Sequence, residues 1–399
     1  MSSTNVDYGF GSVLLRNVVI VLLSSFVLSV SIGYLRQWYF QVALSRLFGA
    51  EVVGYFFAVA LLLSALASLV GGYFSDVVGR RLLIVVGTCV IALSCCLLLM
   101  EFWVGLAVVV ASLVLLYVGV GVVSSPYSSL VAESVHPRYR GRVFSLVSLS
   151  TFLGMAVSSF IAGYLVAKGL LYMYLLSSIL AVAAVIARLG LVETRLRSGS
   201  CVLSLCSPSS FVRYLREVAR LPGLVYLLLF IFFASFSSSL SAVYLPIYLD
   251  RFLHLGFSVL GVLYTAMLLV AAFSQPVAGY LVDLLGVRFC VLFALFALGL
   301  LMSLFTYFSL LGLFECVYLL VPTPFFSAIL STAYMVYVAK LSPVERRATT
   351  YGVAYGLSVV AQSVAPVVGS VLWSLDPYFV PLSIAVTQYV LLPIGFLLR

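Results

Sequence analysis

The chain has 399 residues, of which 64% are hydrophobic and only 8% charged. A soluble domain carries about 25% charged residues, so an ordinary soluble fold is excluded. The apolar runs are continuous and about twenty residues long, which selects membrane helices over the alternating strands of a barrel, and the net charge of +9 acquires its meaning from where the basic residues fall.

Apolar runs occupy 17–43, 52–73, 82–100, 104–131, 144–166 and 170–191, then 223–249, 258–281, 289–311, 314–338, 352–373 and 378–398. Each is long enough to cross a bilayer as a helix. The first is too long for a signal peptide and is expected to stay as a membrane helix. The reading is an all-α integral membrane protein: a six-helix bundle at 1–191, a linker at 192–222 and a second six-helix bundle at 223–399. The linker carries Arg195, Arg197, Arg213, Arg216 and Arg220 with a serine-rich stretch. Its part 211–221 reads equally as a solvated connection or as an amphipathic helix on the membrane surface. Cys201 and Cys206 in the linker are expected to be free thiols, because two cysteines cannot complete a zinc site. The other five cysteines lie in apolar runs and act as small hydrophobes.

With both termini cytoplasmic, 17 of the 21 basic residues fall at the inner side, including Arg188 at the end of the sixth run, and three at the outer side. That asymmetry is a positive-inside signal. It predicts a multi-pass cell-membrane protein and removes nucleic acid as the reason for the charge.

A shift of 207 residues brings the halves into register. Gly72 falls on Gly279, Asp76 on Asp283, Gly79 on Gly286, Arg81 on Arg288 and Arg140 on Arg347. Such repeats build many secondary transporters, with the solute site between the halves. The stretch Gly72-Tyr-Phe-Ser-Asp76-Val-Val-Gly79-Arg80-Arg81 resembles the signature loop of the major facilitator superfamily, and Gly279 to Arg288 is its weaker copy. Glu133 to Arg142 resembles that family's loop between helices four and five, and Lys340 to Arg347 is its counterpart. The resemblance implies twelve helices in two pseudo-symmetric bundles that rock about a central cavity. It also implies gating at the inner side by Gly72, Asp76, Gly79, Arg80, Arg81, Glu133, Arg140, Gly279, Asp283, Gly286, Arg288 and Arg347. Asp76 is expected to pair with Arg80 or Arg81, or to bond the N-terminus of another helix. Exposed ion pairs in a plain turn are the alternative.

In this superfamily the first, fourth, seventh and tenth helices line the cavity, so their polar residues are the candidate solute ligands. The first span offers Tyr34, Gln37 and Gln41, spaced three and four on one helix face, with Arg36 beside them. Ser241, Tyr244 and Tyr248 lie opposite at the repeat offset. Tyr117 in the fourth span and Gln362 in the eleventh complete the set. An arginine inside a membrane helix faces water or a partner. Either Arg36 binds an anionic group of the solute, or it snorkels or pairs with an acid such as Glu51 or Asp250.

No acid sits plainly at mid-depth, and both histidines lie in loops, so proton coupling has no visible carrier. The fifth span, Gly154 to Gly163, resembles the small-residue motif of drug–proton antiporters, but Ser159 stands where their proline would be. Scattered acids argue against an enzyme, and a pseudo-twofold monomer argues against a channel. The expected partners are a small-molecule solute and the lipid bilayer, with no cofactor and no metal. An organic anion is one expected solute. An exporter of amphipathic or lipophilic compounds, or a non-transporting sensor on the same scaffold, is the alternative.

Overall fold

A computed structural model describes residues 4–135, 140–166, 168–193, 224–341 and 347–397. Apart from Val192 and Glu193, the linker at 192–222, with Cys201 and Cys206, lies outside the described residues.

Among the described residues, twelve helical segments are long and apolar enough to cross a membrane. They are α1 (Arg16–Phe48), α2 (Ala50–Gly72), α3 (Arg80–Leu98), α4 (Ala107–Val131), α5 (Arg142–Leu165) and α6 (Leu170–Leu189). The second half supplies α7 (Tyr226–Arg251), α8 (Phe257–Leu285), α9 (Val287–Leu310), α10 (Phe314–Tyr334), α11 (Gly356–Leu375) and α12 (Phe379–Phe396). Hydrocarbon offers the backbone no hydrogen-bond partners, so the chain satisfies its own. Leu62, Leu66, Leu69, Ile179, Ile186, Phe289, Phe293 and Phe296 remain on the outer surface, where lipid is their solvent.

The helix pairings state the internal symmetry directly. In the first half α3 packs on α4, α2 on α4, α1 on α5, α1 on α6 and α3 on α6. The second half repeats each with six added: α9 on α10, α8 on α10, α7 on α11, α7 on α12 and α9 on α12. The two principal contacts between halves, α5 with α8 and α11 with α2, exchange under the same operation. Gly79 and Gly286, partners at the repeat offset, both have positive φ, +126° and +83°. Only glycine adopts that backbone without strain, and at each of the two positions it turns the chain into the next helix.

The first helix is longer and less regular than its hydropathy indicates. It runs as an α-helix over Thr4–Tyr34, a π-helical turn over Leu35–Tyr39 and an α-helix over Phe40–Phe48. Such turns are rare and concentrate at functional sites.

One end of the bundle carries Arg16, Arg80, Arg81, Arg142, Arg188 and Arg288 at helix starts and ends; we term it the basic end. The core is distributed unevenly along the axis from that end. Towards the opposite, far end one large cluster joins the halves: Trp38, Phe40, Phe57 and Tyr174 pack with Tyr244, Tyr248, Leu260 and Phe305. Towards the basic end the halves keep separate cores, Val21, Ile84, Leu130 and Leu191 in one and Phe230, Val291, Ile329 and Leu391 in the other. Gly163 and Gly261 bring α5 and α8 into backbone contact: a Cβ on Gly261 would lie 2.7 Å from the Gly163 Cα. The halves meet at the far end and diverge towards the basic one.

Candidate functional site

Between the diverging halves lies a cavity of about 490 Å³. Arg36, Gln37 and Gln41 of α1, Phe57 and Leu61 of α2 and Tyr117 of α4 form one wall. Ser235, Ser237, Ser238, Ser239 and Ser241 of α7, Thr323, Ser327 and Ser331 of α10, Ser358 and Gln362 of α11 and Gln388 of α12 contribute to the other.

The π-helical turn sets the first wall. Its wider turn departs from the 3.6-residue period, so Arg36, Gln37 and Gln41 reach the cavity while Tyr34 does not. Gln41 Nε2 donates to the Arg36 carbonyl at 2.9 Å and to the Ala242 carbonyl at 3.2 Å, tying α1 to α7. Gln37 Nε2 points at Met155 Sδ, 3.4 Å away. The Arg36 guanidinium lies 5.9 Å from the centre of the Tyr117 ring, and its buried Nε has no hydrogen-bond partner among the described residues.

The second wall is a neutral network. Gln362 Nε2 donates to Ser358 Oγ at 2.9 Å, Ser235 Oγ to Ser358 Oγ at 3.0 Å, and Ser239 Oγ to the Gln362 carbonyl at 2.8 Å. Gln388 Nε2 donates to Ser237 Oγ at 2.8 Å. No aspartate or glutamate lines the cavity among the described residues. The site therefore carries one positive group facing hydroxyls and amides.

Of the residues singled out from sequence, Arg36, Gln37, Gln41, Tyr117, Ser241 and Gln362 come together around this cavity. Tyr34, Tyr244 and Tyr248 lie elsewhere, all within the core. Tyr34 accepts from Ser177 Oγ at 3.0 Å inside the first half. The Tyr244 hydroxyl bonds Ser370 Oγ at 2.8 Å, and that of Tyr248 bonds Ser309 Oγ at 2.9 Å. Each phenol finds its polar partner within the protein, which lets the ring be buried.

Asp250 is the partner of Arg46, not of Arg36. Arg46 Nε donates to Asp250 Oδ2 at 3.0 Å and Nη2 to Oδ1, while the guanidinium sits 4.1 Å from the Phe257 ring centre. This ion pair joins α1 to α7 at the far end. Arg251 Nη2 donates to the Ser45 carbonyl and Ser258 Oγ to the Gly163 carbonyl beside it.

At the basic end the described contacts involve Arg80, Arg81, Glu133 and Glu193. Arg80 pairs with Glu133, and the Arg80 and Arg81 backbone N–H groups donate to the Glu193 carboxylate at 3.1 and 3.0 Å. Arg81 Nη2 donates to the Leu189 carbonyl at 2.7 Å. These contacts lie within the first half and the first residues of the linker, where Glu193 caps the orphan N–H groups at the start of α3. Gly79 lies against Glu193 and Gly72 against Ser125. In the second half Asp283 and Arg288 are exposed, with Arg288 4.3 Å from the Phe396 ring centre, and Gly279 and Gly286 have open space around them. The side chains of Asp76, Arg140 and Arg347 lie outside the described residues.

Arg188 was hidden among the loop charges. It is 3% exposed, inside the first half, with Nη1 donating to Thr88 Oγ1 at 2.7 Å and Nε to Ser24 Oγ at 3.4 Å. Its guanidinium lies 5.4 Å from the Tyr127 ring centre. Ser235, Ser237, Ser238 and Ser239 of α7 and Gln388 were also missed, because serines in membrane helices ordinarily serve packing. Among the described residues no group of three His, Cys, Asp or Glu is placed to hold a metal.

Twelve spans in two repeats about a shared polar cavity define the class of membrane transporters built from structural repeats. The sequence model of the Major Facilitator Superfamily matches residues 9–366, and the chain belongs to that superfamily. No curated protein sequence matches it. Among solved structures it is similar to a bacterial homologue of the human lysosomal transporter Spinster in an inward-facing, unoccupied conformation (15% identity, TM-score 0.68, covering 100% of this chain and 98% of that one). It is also similar to a D-xylose–proton symporter (15%, 0.73, 97% and 96%) and to the human organic anion transporter MFSD10 (19%, 0.66, 97% and 99%). These likenesses concern the fold.

Proposed function

We propose that the protein carries a small organic anion across the cell membrane by alternating access, with the anionic group held by Arg36. One observation carries the reading: the Arg36 guanidinium faces a cavity without carboxylates, and its buried Nε lacks a partner. A charge left this way inside a membrane protein is expensive and marks a solute path. Gln37, Gln41, Tyr117, Ser241 and Gln362 would bind the neutral part of the solute. The basic end is read as cytoplasmic, so the far-end closure corresponds to an inward-facing state, with the carrier working as a monomer. On this reading Arg46–Asp250 is a far-end latch, and the Arg80, Glu133 and Glu193 cluster stiffens the first half while it rocks. The gating roles of Asp76, Arg140, Asp283, Arg288 and Arg347 belong to the opposite state.

A purified-protein stability screen against carboxylates, organophosphates and lipophilic cations selects the solute, since binding raises apparent stability. Flux of the best hit into proteoliposomes follows. Arg36→Gln removes a charge-assisted bond and is expected to weaken apparent affinity about 10–100-fold. Unchanged affinity for an anionic solute in that variant overturns the reading. The second reading, an exporter of amphipathic compounds, draws on Phe57, Leu61, Tyr117, Leu245 and Met302 in the cavity wall. Stabilisation by lipophilic cations alone would favour it.

A further inference from the structure

A second cavity of about 220 Å³ runs inside the first half from Arg36 to Arg188. Its lining includes both arginines, Ser25, Tyr127 and Thr151, and no aspartate or glutamate among the described residues. Arg188 makes two side-chain hydrogen bonds among the described residues. Two of its five N–H donors meet the hydroxyls of Thr88 and Ser24, and the others have no acceptor among the described residues. Its counter-charge is equally absent there. The C-terminal turn of its helix offers the cation only partial charge, and the Tyr127 ring face offers only a quadrupole. A guanidinium is a rigid fork suited to carboxylate or phosphate oxygens, and hydroxyls on either side fix the orientation of this one.

We infer that Arg188 forms a second anion subsite, a station on the route between Arg36 and the basic end. Ser24, which accepts from Arg188, lies twelve residues before Arg36 on α1, about 18 Å of helix rise. The two guanidinium groups therefore stand at different depths of one cavity rather than sharing a single ligand oxygen. A solute released from Arg36 as the halves diverge meets Arg188 next, which keeps its charged group compensated along the way out. The inference shares the anionic solute of the preceding proposal but rests on Arg188 alone.

The test uses the full-length protein purified in detergent, with inorganic phosphate and, separately, benzoate titrated at constant ionic strength. The readout is the unfolding midpoint. Independent sites add their stabilisation, so Arg188→Gln and Arg36→Gln are each expected to lose about half of the shift at saturating anion. The double variant is expected to lose all of it. Arg188→Lys keeps the charge without the fork and is expected to recover part of the response. Should Arg188→Gln fail to fold, Ser25→Asp decides. Ser25 bonds Tyr127, so its carboxylate would neutralise Arg188 from within, raising the midpoint without anion and removing this subsite's share of the shift. The inference is overturned by a full wild-type shift in folded Arg188→Gln or in Ser25→Asp, by complete loss in Arg36→Gln alone, or by no shift in the wild type. Loss in Arg188→Gln with a wild-type shift in Arg36→Gln would uphold this subsite and overturn the role given to Arg36.

Discussion

Asp250→Asn is the sharpest probe of how the two halves are held. The Asp250 side chain is 3% exposed and its Arg46 partner 44%, and the pair crosses from α7 to α1. Removing one member of a fully buried pair costs about 3–5 kcal/mol. Water can take up much of the charge on half-exposed Arg46, so about 2 kcal/mol is the expected loss. On the proposed alternating-access cycle the contact forms only while the far end is closed, so the loss falls on that state alone. About 2 kcal/mol is roughly thirtyfold in the equilibrium; an open state at about 1% would rise to about a quarter of the population. Spin labels at exposed Trp103 and Leu313, one per half at the far end, report the change by double electron–electron resonance in a background without native cysteines. The asparagine variant is expected to gain a longer-distance population, and the charge swap Arg46→Asp/Asp250→Arg to lose most of it. An unchanged distribution in Asp250→Asn would refute the latch.

Three further expectations follow from the packing. Gly261→Ala sets a methyl against the Gly163 backbone, so it should disfavour the closed far end by about 1–3 kcal/mol and lengthen the same spin-label distance. Tyr244→Phe removes the bond to Ser370 and should lower stability by about 1 kcal/mol while leaving solute affinity unchanged; a change in affinity would return Tyr244 to the cavity. Glu193→Gln replaces the carboxylate that accepts from the Arg80 and Arg81 N–H groups. It should lower the unfolding midpoint by the equivalent of about 1 kcal/mol, without altering the far-end distance.

The spans could be read from sequence because lipid enforces them, and the pseudo-twofold repeat because matched residues recur at one offset. A run of about twenty apolar residues has few alternatives in hydrocarbon, and paired glycines with an aspartate at one offset carry the symmetry. The site was less legible, for identifiable reasons. A helical wheel assumes 3.6 residues per turn, and the π-helical turn at Leu35–Tyr39 places Tyr34 and Gln37 in different surroundings. A tyrosine in a span reads as polar, yet Tyr244 and Tyr248 satisfy their hydroxyls on Ser370 and Ser309 and pack as core. Arg188 falls where a hydrophobic run ends, and sequence alone does not separate a loop charge from one folded back between helices. Arg46 and Asp250 both sit at span ends, and only the fold brings residues 204 apart together.

The one-sidedness of the cavity has an electrical consequence. With Arg36 facing a wall of serines and glutamines, the empty protein is the charged species, and binding a monovalent anion makes the site neutral. One elementary charge moved through the whole membrane field corresponds to about 2.3 kcal/mol per 100 mV. If the solute is a monovalent anion, as proposed, the membrane potential acts on the return of the empty carrier rather than on the loaded passage, and voltage sets how fast the protein resets.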